Sequence, residues 1–294
     1  MNDSSRNSTS MLNWMYCLDQ GYVPSVICQC IQVLCFLLGT PALVWCLWIS
    51  LIEGTSEGLK PTQIFPINLF MVELLFCVQS LLQVIYQRFL PQNMFLQVVD
   101  FLYYISWVSR PFFQTCICVE RYMAVVQPVA FIKYRLRRYR MGSSTLIWGL
   151  TIMYSCVMVH LHVCERTLNN YVIIGVYFLG LVIISLCCFF ILHVLKQPGP
   201  GEVEGGRGGE KKQGTTDPQK MRAFRIVLTN LVIISMSSIS LVTGYAIMSF
   251  NTINFYCNIF PMSITFNIFS VMASPVLHLH REGRLHCRKG PESH

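Results

Sequence analysis

Seven long apolar runs constrain this chain of 294 residues more than any other feature of its sequence. Each run is long enough to cross the hydrocarbon core of a bilayer, which takes roughly 20 residues of helix. Because backbone groups find no hydrogen-bond partner in lipid, each run is expected to be helical. The runs are residues 26–50, 66–86, 94–119, 143–163, 171–195, 226–250 and 253–277. The sequence therefore predicts an all-α fold, a bundle of seven transmembrane helices.

The scarcity of charge excludes a soluble domain of this size. Charged residues make up 12% of the chain and hydrophobic residues 53%, whereas a soluble domain carries about 25% charged residues. The net charge of +8 comes from bases that lie in clusters between the apolar runs. A nucleic-acid partner needs a basic face on a soluble fold, so none is expected. Within the runs the charged residues are Glu73, Asp100 and Arg110.

The distribution of Lys and Arg predicts the orientation in the membrane. Eighteen of the 22 bases fall on one side of the runs and three on the other, with Arg110 inside the third run. The basic side is expected to be cytoplasmic, which puts the N-terminus outside and the C-terminus in the cytoplasm. Asn2 and Asn7 begin Asn-x-Ser/Thr tripeptides in the segment assigned to the outside. They are predicted to be glycosylated.

Three regions follow from these boundaries. Residues 1–25 are predicted to form an extracellular segment, 26–279 the seven-helix domain and 280–294 a cytoplasmic tail. Residues 196–225 are rich in Gly, Pro and mixed charge, which is typical of a flexible loop. Residues 279–289 are either a short amphipathic eighth helix lying against membrane lipid, with Cys287 palmitoylated, or a frayed basic tail.

Several short motifs resemble those of one receptor family. Glu120, Arg121 and Tyr122 end the third run and are followed by Pro128. The other matching residues, in chain order, are Asn68, Leu69, Glu73, Trp148, Ser274, Pro275 and His278. The chain thus resembles a divergent rhodopsin-like (class A) G-protein-coupled receptor. Its motif sequences most resemble those of the branch that contains nucleotide, hydroxycarboxylic-acid and protease-activated receptors.

The resemblance implies a receptor at the plasma membrane that binds an extracellular ligand of unknown identity. It implies signalling to a heterotrimeric G protein through Glu120, Arg121 and Tyr122. An acid beside Arg121 can hold the guanidinium at the interface until its release presents a cation to the partner. No enzymatic activity, metal or cofactor is expected.

The chain departs from the family in several places. The third-helix cysteine of the family is replaced by Leu96, so Cys164 is expected to pair with Cys17 or Cys257 or to remain free. The sixth run contains neither Trp nor Pro. Gly244, or the serine-rich residues 235–240, would have to provide the bend on which this helix moves.

Arg110 and Glu73 are predicted to form an intramembrane ion pair. At about 1.5 Å per residue the two side chains reach a similar depth, whereas Asp100 lies about 15 Å above Arg110. An unpaired Arg at that depth costs at least about 2.5–3.5 kcal/mol. The family often binds sodium at the acid that matches Glu73. Here Arg110 is either a built-in replacement for sodium or part of a structural pair that only fixes helix packing.

A stripe on the outer half of the third run is a candidate ligand site. Asp100, Tyr103, Tyr104 and Trp107 have the spacing of one helix face. An aromatic wall with one carboxylate suits an amine or a ligand of mixed polarity. Arg88 and Arg166 at the outer mouth favour an anion instead. The alternative for each aromatic residue is plain packing.

Two other classes of protein compete with a signalling receptor. A receptor-like protein that does not couple to G proteins would explain the missing Trp and Pro of the sixth run. A seven-span hydrolase is suggested by two metal-ligand-like pairs, which are His160 with His162 and His278 with His280. The predicted topology puts these pairs on opposite faces of the membrane, so they cannot share one ion.

Overall fold

The computed structural model describes most of the seven predicted runs and few of the connections between them. The described residues are 17, 21–57, 61–89, 93–127, 129, 131, 137–161, 166–196, 229, 232–244, 246 and 253–281. Outside them lie Asn2, Asn7, Cys164, His162, the loop residues 197–225 and the tail with Cys287. The predictions made for these positions stay predictions.

The described chain is helical and confirms the prediction of an all-α bundle with seven spans. The first helix consists of Val23–Leu34, a π-helical turn at Cys35–Gly39 and Thr40–Glu57. A 3₁₀ turn at Pro61–Gln63 precedes the second helix. The second to fifth helices and the seventh are Ile64–Phe89, Asn93–Val126, Arg137–Leu161, Arg166–Lys196 and Ile253–Arg281. The described part of the sixth is Val232–Gly244.

Among the described residues, five helices are long and apolar enough to cross a membrane by themselves. Their apolar stretches are Val23–Ile52, Pro61–Tyr86, Arg137–His160, Tyr171–Val194 and Cys257–Leu277. The third helix is not among them because it carries Asp100, Arg110, Gln114, Glu120 and several serines. It packs against the second, fourth and fifth helices at the same time. These neighbours replace lipid around the third helix, which is why it tolerates buried polar groups.

Apolar side chains point both into the bundle and out of it. The largest buried cluster joins the first, second, third, fifth, sixth and seventh helices through residues such as Leu43, Phe70, Trp107, Ile173, Leu241 and Val271. Outward-facing side chains are apolar too, and Trp48 and Phe189 are each 62% exposed. An apolar outer surface of this kind is expected where lipid is the solvent.

A disulfide joins the segment before the first helix to the start of the seventh. Cys17 and Cys257 are bridged, with their Cα atoms 5.4 Å apart. The Ser25 hydroxyl donates a hydrogen bond to the carbonyl of Cys257 at 3.2 Å. This bridge contradicts the pairing of Cys164 with Cys17 or with Cys257, and the third alternative, an unpaired Cys164, stays a prediction. Cys17 and Cys257 are 240 positions apart in the sequence, so the sequence does not indicate that the first and seventh helices are neighbours.

Gly244 marks a close approach between the sixth and seventh helices. A Cβ atom added at Gly244 would lie 2.6 Å from the Ser263 hydroxyl oxygen and 2.9 Å from the Ser263 Cβ. Side-chain carbons do not approach other atoms so closely, and any larger residue would push the helices apart. The packing of this helix pair therefore requires glycine here. The role of Gly244 as a hinge stays a prediction.

Candidate functional site

The guanidinium of Arg110 is the centre of a polar cluster inside the bundle. Arg110 is 2% exposed and stands on the third helix directly before Pro111. Its Nη1 donates a hydrogen bond to Oδ1 of Asn267, and its Nη2 donates one to Oγ of Ser270 at 3.0 Å. Both acceptors belong to the seventh helix. Arg110 thus joins the third and seventh helices through hydrogen bonds from a charged donor, the stronger kind.

Glu73 lies beside this cluster on the second helix and has no solvent-exposed surface. Its Oε1 is 3.9 Å from Nη2 of Arg110. This separation is within the range of an ion pair but too long for a direct hydrogen bond. Charge attraction therefore acts between the two residues, while the direct hydrogen bonds of the guanidinium go to Asn267 and Ser270. Asp100, which is half-buried, takes no part in this ion pair.

A small cavity opens next to Glu73. Its volume is about 20 Å³, which is room for one or two water molecules. The lining residues are Leu69, Glu73, Gln114, Ile117, Ile233, Ile234, Ser270, Ser274 and Leu277. Neither carboxylate oxygen of Glu73 accepts a well-aligned hydrogen bond from a described side chain. The Ser274 hydroxyl nevertheless lies close to the carboxylate and interacts with it. The cavity thus has four polar side chains and can solvate a buried charge.

Asn68 and Trp148, two of the family-like residues, meet between the second and fourth helices. The indole Nε1 of Trp148 donates a hydrogen bond to Oδ1 of Asn68 at 2.7 Å. Nδ2 of Asn68 donates to the Ile64 carbonyl at 2.7 Å and lies 3.5 Å from the Ser144 hydroxyl. This hydrogen bond needs a side-chain donor, which Trp provides and Phe does not.

Glu120 at the end of the third helix pairs with a residue that the sequence did not single out. Its Oε1 lies 3.3 Å from Nη2 of Arg140, near the start of the fourth helix, and both side chains are buried. The Arg140 guanidinium also stands 5.7 Å from the centre of the Phe131 ring. Arg121 is half-buried at the same end of the helix, and the Tyr122 ring lies 5.9 Å from that of Phe190. A cation from the fourth helix therefore holds the acid of this motif.

The predicted ligand stripe does not line one open surface. Tyr104 and Trp107 are buried, whereas Asp100 and Tyr103 are half-buried. Tyr104 packs edge-on against Tyr154 of the fourth helix at 6.4 Å. Trp107 packs toward the second helix instead, with its ring 5.7 Å from that of Phe76. None of the four stripe residues lines the cavity beside Glu73.

Four further residues belong to these polar sites although no sequence motif marks them, namely Asn267, Ser270, Gln114 and Arg140. The sequence of the seventh helix contains a pattern that indicates two of them, Asn267 and Ser270. Ser263, Asn267, Ser270 and Ser274 recur at spacings of four, three and four residues in a helix that is mostly apolar. Such a polar stripe in a membrane span faces the interior of the bundle. Arg140 gave no such signal, since it is one of several bases in a cluster that is predicted to be cytoplasmic.

Comparison with known proteins agrees with this architecture. Residues 46–277 match the family described as 7 transmembrane receptor (rhodopsin family). The chain is 33% identical to the purinoceptor 8 of Gallus gallus over 92 residues, which are 30% of this chain and 26% of the purinoceptor. It is 38% identical to the C-C chemokine receptor type 8 of Macaca mulatta over 97 residues, 31% of this chain and 27% of that receptor.

A third relative is the human G-protein coupled receptor 65, to which the chain is 43% identical over 58 residues, 20% of this chain and 17% of the receptor. The chain thus spans about a quarter or less of the length of these three relatives. The family match, in contrast, runs from the first helix to the seventh and includes Glu73, Arg110, Glu120, Trp148 and Ser274. The chain belongs to the rhodopsin family of seven-transmembrane receptors.

Proposed function

We propose that this protein is a plasma-membrane receptor that binds an extracellular ligand and activates a heterotrimeric G protein. The observation that carries the proposal is the Glu120–Arg121–Tyr122 sequence at the predicted cytoplasmic end of the third helix, inside a rhodopsin-family bundle. The buried Glu120–Arg140 pair supports the proposal. Because Arg140 neutralises part of the charge of Glu120, the carboxylate attracts Arg121 less strongly and leaves it more available to a partner.

The ligand site is proposed for the outer half of the third helix. Asp100 and Tyr103 are half-buried and are the members of the stripe that a ligand can reach. Tyr104 and Trp107 support this surface from within the core. A carboxylate next to an aromatic ring suits a ligand with an amine and an apolar part. An anion attracted by Arg88 and Arg166 is the competing ligand class.

The test is agonist-independent nucleotide exchange on purified G protein by membranes that contain the full chain. The wild type is expected to accelerate exchange above control membranes, and Arg121→Ala should reduce this rate at least about tenfold, since the charge meant for the partner is gone. Arg137→Ala is the matched control, because Arg137 is an exposed base at the same end of the bundle. It should leave the rate within about twofold of the wild type.

Equal exchange by wild type and Arg121→Ala, at equal surface expression, would contradict coupling through this motif. It would favour a receptor-like protein that binds a ligand or partner without a G protein. The absence of Trp and Pro from residues 226–250 is the observation on which that second candidate rests.

We also propose that Arg110 takes the place of sodium in this receptor. The buried guanidinium supplies a fixed positive charge 3.9 Å from Glu73, and Ser270 and Asn267 hold it in position. A second cation in the adjoining cavity would be repelled by that charge. The competing interpretation is a polar cluster that only fixes the packing of three helices.

A further inference from the structure

Two buried thiols meet inside the bundle in a place that neither the ligand site nor the cytoplasmic motif uses. Sγ of Cys35 on the first helix lies 3.7 Å from Sγ of Cys77 on the second helix. The two residues are 1% and 0% exposed. The sulfur atoms are thus in contact, and a bond between them requires an approach to about 2.0 Å.

The backbone of the first helix favours this contact. Cys35 begins the π-helical turn that ends at Gly39. A turn of this kind inserts an extra residue, redirects the side chains around it and is frequent at functional sites. At the other end of the turn, a Cβ atom on Gly39 would lie 3.3 Å from Sγ of Cys77 and 2.9 Å from the sulfur of Met272. Glycine therefore lets the first helix come close to Cys77.

Cys118 and Cys188 also share a buried cluster, whereas the thiols of Cys46, Cys30 and Cys156 have different surroundings. Cys46, one helix segment further along, directs its sulfur to the carbonyl of Pro275 at 3.8 Å. Cys30 and Cys156 are exposed on the outside of the bundle. The Cys35–Cys77 pair combines burial with thiol–thiol contact across two helices. A disulfide between them requires the two sulfur atoms to approach from 3.7 Å to about 2.0 Å.

We propose that Cys35 and Cys77 are an oxidisable dithiol, which peroxide converts into a disulfide between the first and second helices. One sulfur, as the thiolate, attacks a peroxide oxygen. The O–O bond breaks, a sulfenic acid forms, and the departing hydroxide takes up the proton that this thiol lost and leaves as water. The second sulfur then attacks the sulfenic sulfur and the S–O bond breaks, and the departing hydroxide takes up the proton of the second thiol and leaves as a second water. The two thiols lose two electrons in total, and one peroxide is reduced to two waters.

The test is a peptide map of the full-length protein in lipid nanodiscs. The protein is reduced with dithiothreitol, exposed to hydrogen peroxide and alkylated with N-ethylmaleimide before proteolysis and mass spectrometry. The expected result is one species in which the Cys35 and Cys77 peptides are joined, with the mass of both less two hydrogens. Dithiothreitol should separate them again. Reformation of the Cys17–Cys257 bridge in the same sample reports that oxidation went to completion.

Two variants sharpen the result. Cys77→Ser should abolish the joined species, and Cys46→Ser, which removes another buried thiol of the first helix, should leave it unchanged. Recovery of Cys35 and Cys77 as separate alkylated peptides, beside a complete Cys17–Cys257 bridge, would overturn the proposal. So would preferential joining of either residue to a different cysteine. The wild-type map alone decides the matter if Cys77→Ser does not fold.

Discussion

Arg110 and Glu73 are buried inside membrane-spanning helices, where an isolated charge has a large desolvation cost. A charged side chain at the centre of a bilayer costs about 2.5–3.5 kcal/mol even on the lenient insertion scale. Arg110 offsets this cost through the hydrogen bonds that it donates to Asn267 and Ser270, and through the carboxylate of Glu73 at 3.9 Å. Hydrogen bonds to charged groups contribute about 1.5–3 kcal/mol each. The cluster therefore tolerates the charge because three helices contribute to it.

Sodium dependence distinguishes a built-in cation from a packing role. If Arg110 takes the place of sodium, basal nucleotide exchange by the wild type should be the same in NaCl and KCl of equal ionic strength. Arg110→Ser removes the guanidinium and leaves Glu73 beside a cavity that can admit a cation. The variant should therefore show a difference of at least about twofold between the two salts.

A sodium effect on the wild type would contradict this proposal without any variant. Arg138→Ser, an exposed base of the fourth helix, is the control for loss of one positive charge. It should respond to the two salts as the wild type does. Surface expression of each variant is measured in parallel, because loss of Arg110 also leaves Glu73 with less compensation.

At the scale of elements, the third helix is the central member of the bundle. It contacts the second, fourth and fifth helices and reaches the seventh through Arg110. The sixth and seventh helices instead meet through small residues, with Gly244 against Ser263. Polar contacts of a central helix specify which neighbours it takes, while small residues set how closely two helices approach.

Gly244→Ala should destabilise the bundle, because the new Cβ would lie 2.6 Å from the Ser263 hydroxyl. Overpacking of this kind costs about 1–3 kcal/mol, and the apparent unfolding temperature in detergent should fall. Ser263→Gly removes both close atoms and should restore much of the loss in the double variant. Gly149→Ala is the matched control, since nothing lies within 4 Å of its new Cβ. A Gly244→Ala protein as stable as Gly149→Ala would contradict the close approach.

For the whole molecule, the Cys17–Cys257 disulfide closes the chain between the N-terminal segment and the seventh helix. Cys17→Ser, Cys257→Ser and the double variant should lose the same stability, about 2–5 kcal/mol, since each removes the same bond. The measurement is thermal unfolding in detergent without reductant. Cys156→Ser, a free and exposed cysteine, should match the wild type.

Substitution of Cys164 tests whether this pairing is wrong. If Cys164→Ser lost as much stability as Cys257→Ser, a bridge between Cys17 and Cys257 would be the wrong pairing. Additive losses in the Cys17→Ser/Cys257→Ser variant would contradict it as well, because two halves of one bond cannot contribute twice.

The sequence alone determined the class of fold, because hydrophobic length and the need to satisfy the backbone in lipid are local properties. The bundle of seven spans and the membership of the rhodopsin family followed from the runs and their motifs. The helix ends were less well predicted, since helices such as Arg137–Leu161 begin in polar turns that no apolar pattern marks. Depth along the helices also indicated that Glu73 and Arg110 lie at one level of the membrane.

Only the tertiary structure decided which side chains meet around each helix. The depth of a residue in the membrane does not specify how its helix is rotated about its axis. The sequence therefore does not predict that Arg110 donates to Asn267 and Ser270. Nor does it predict that Glu120 pairs with Arg140. The contact of Cys35 with Cys77 and the bridge of Cys17 to Cys257 depend on which helices are neighbours. Neighbour relations arise from packing between segments far apart in the chain, and no local pattern of residues contains them.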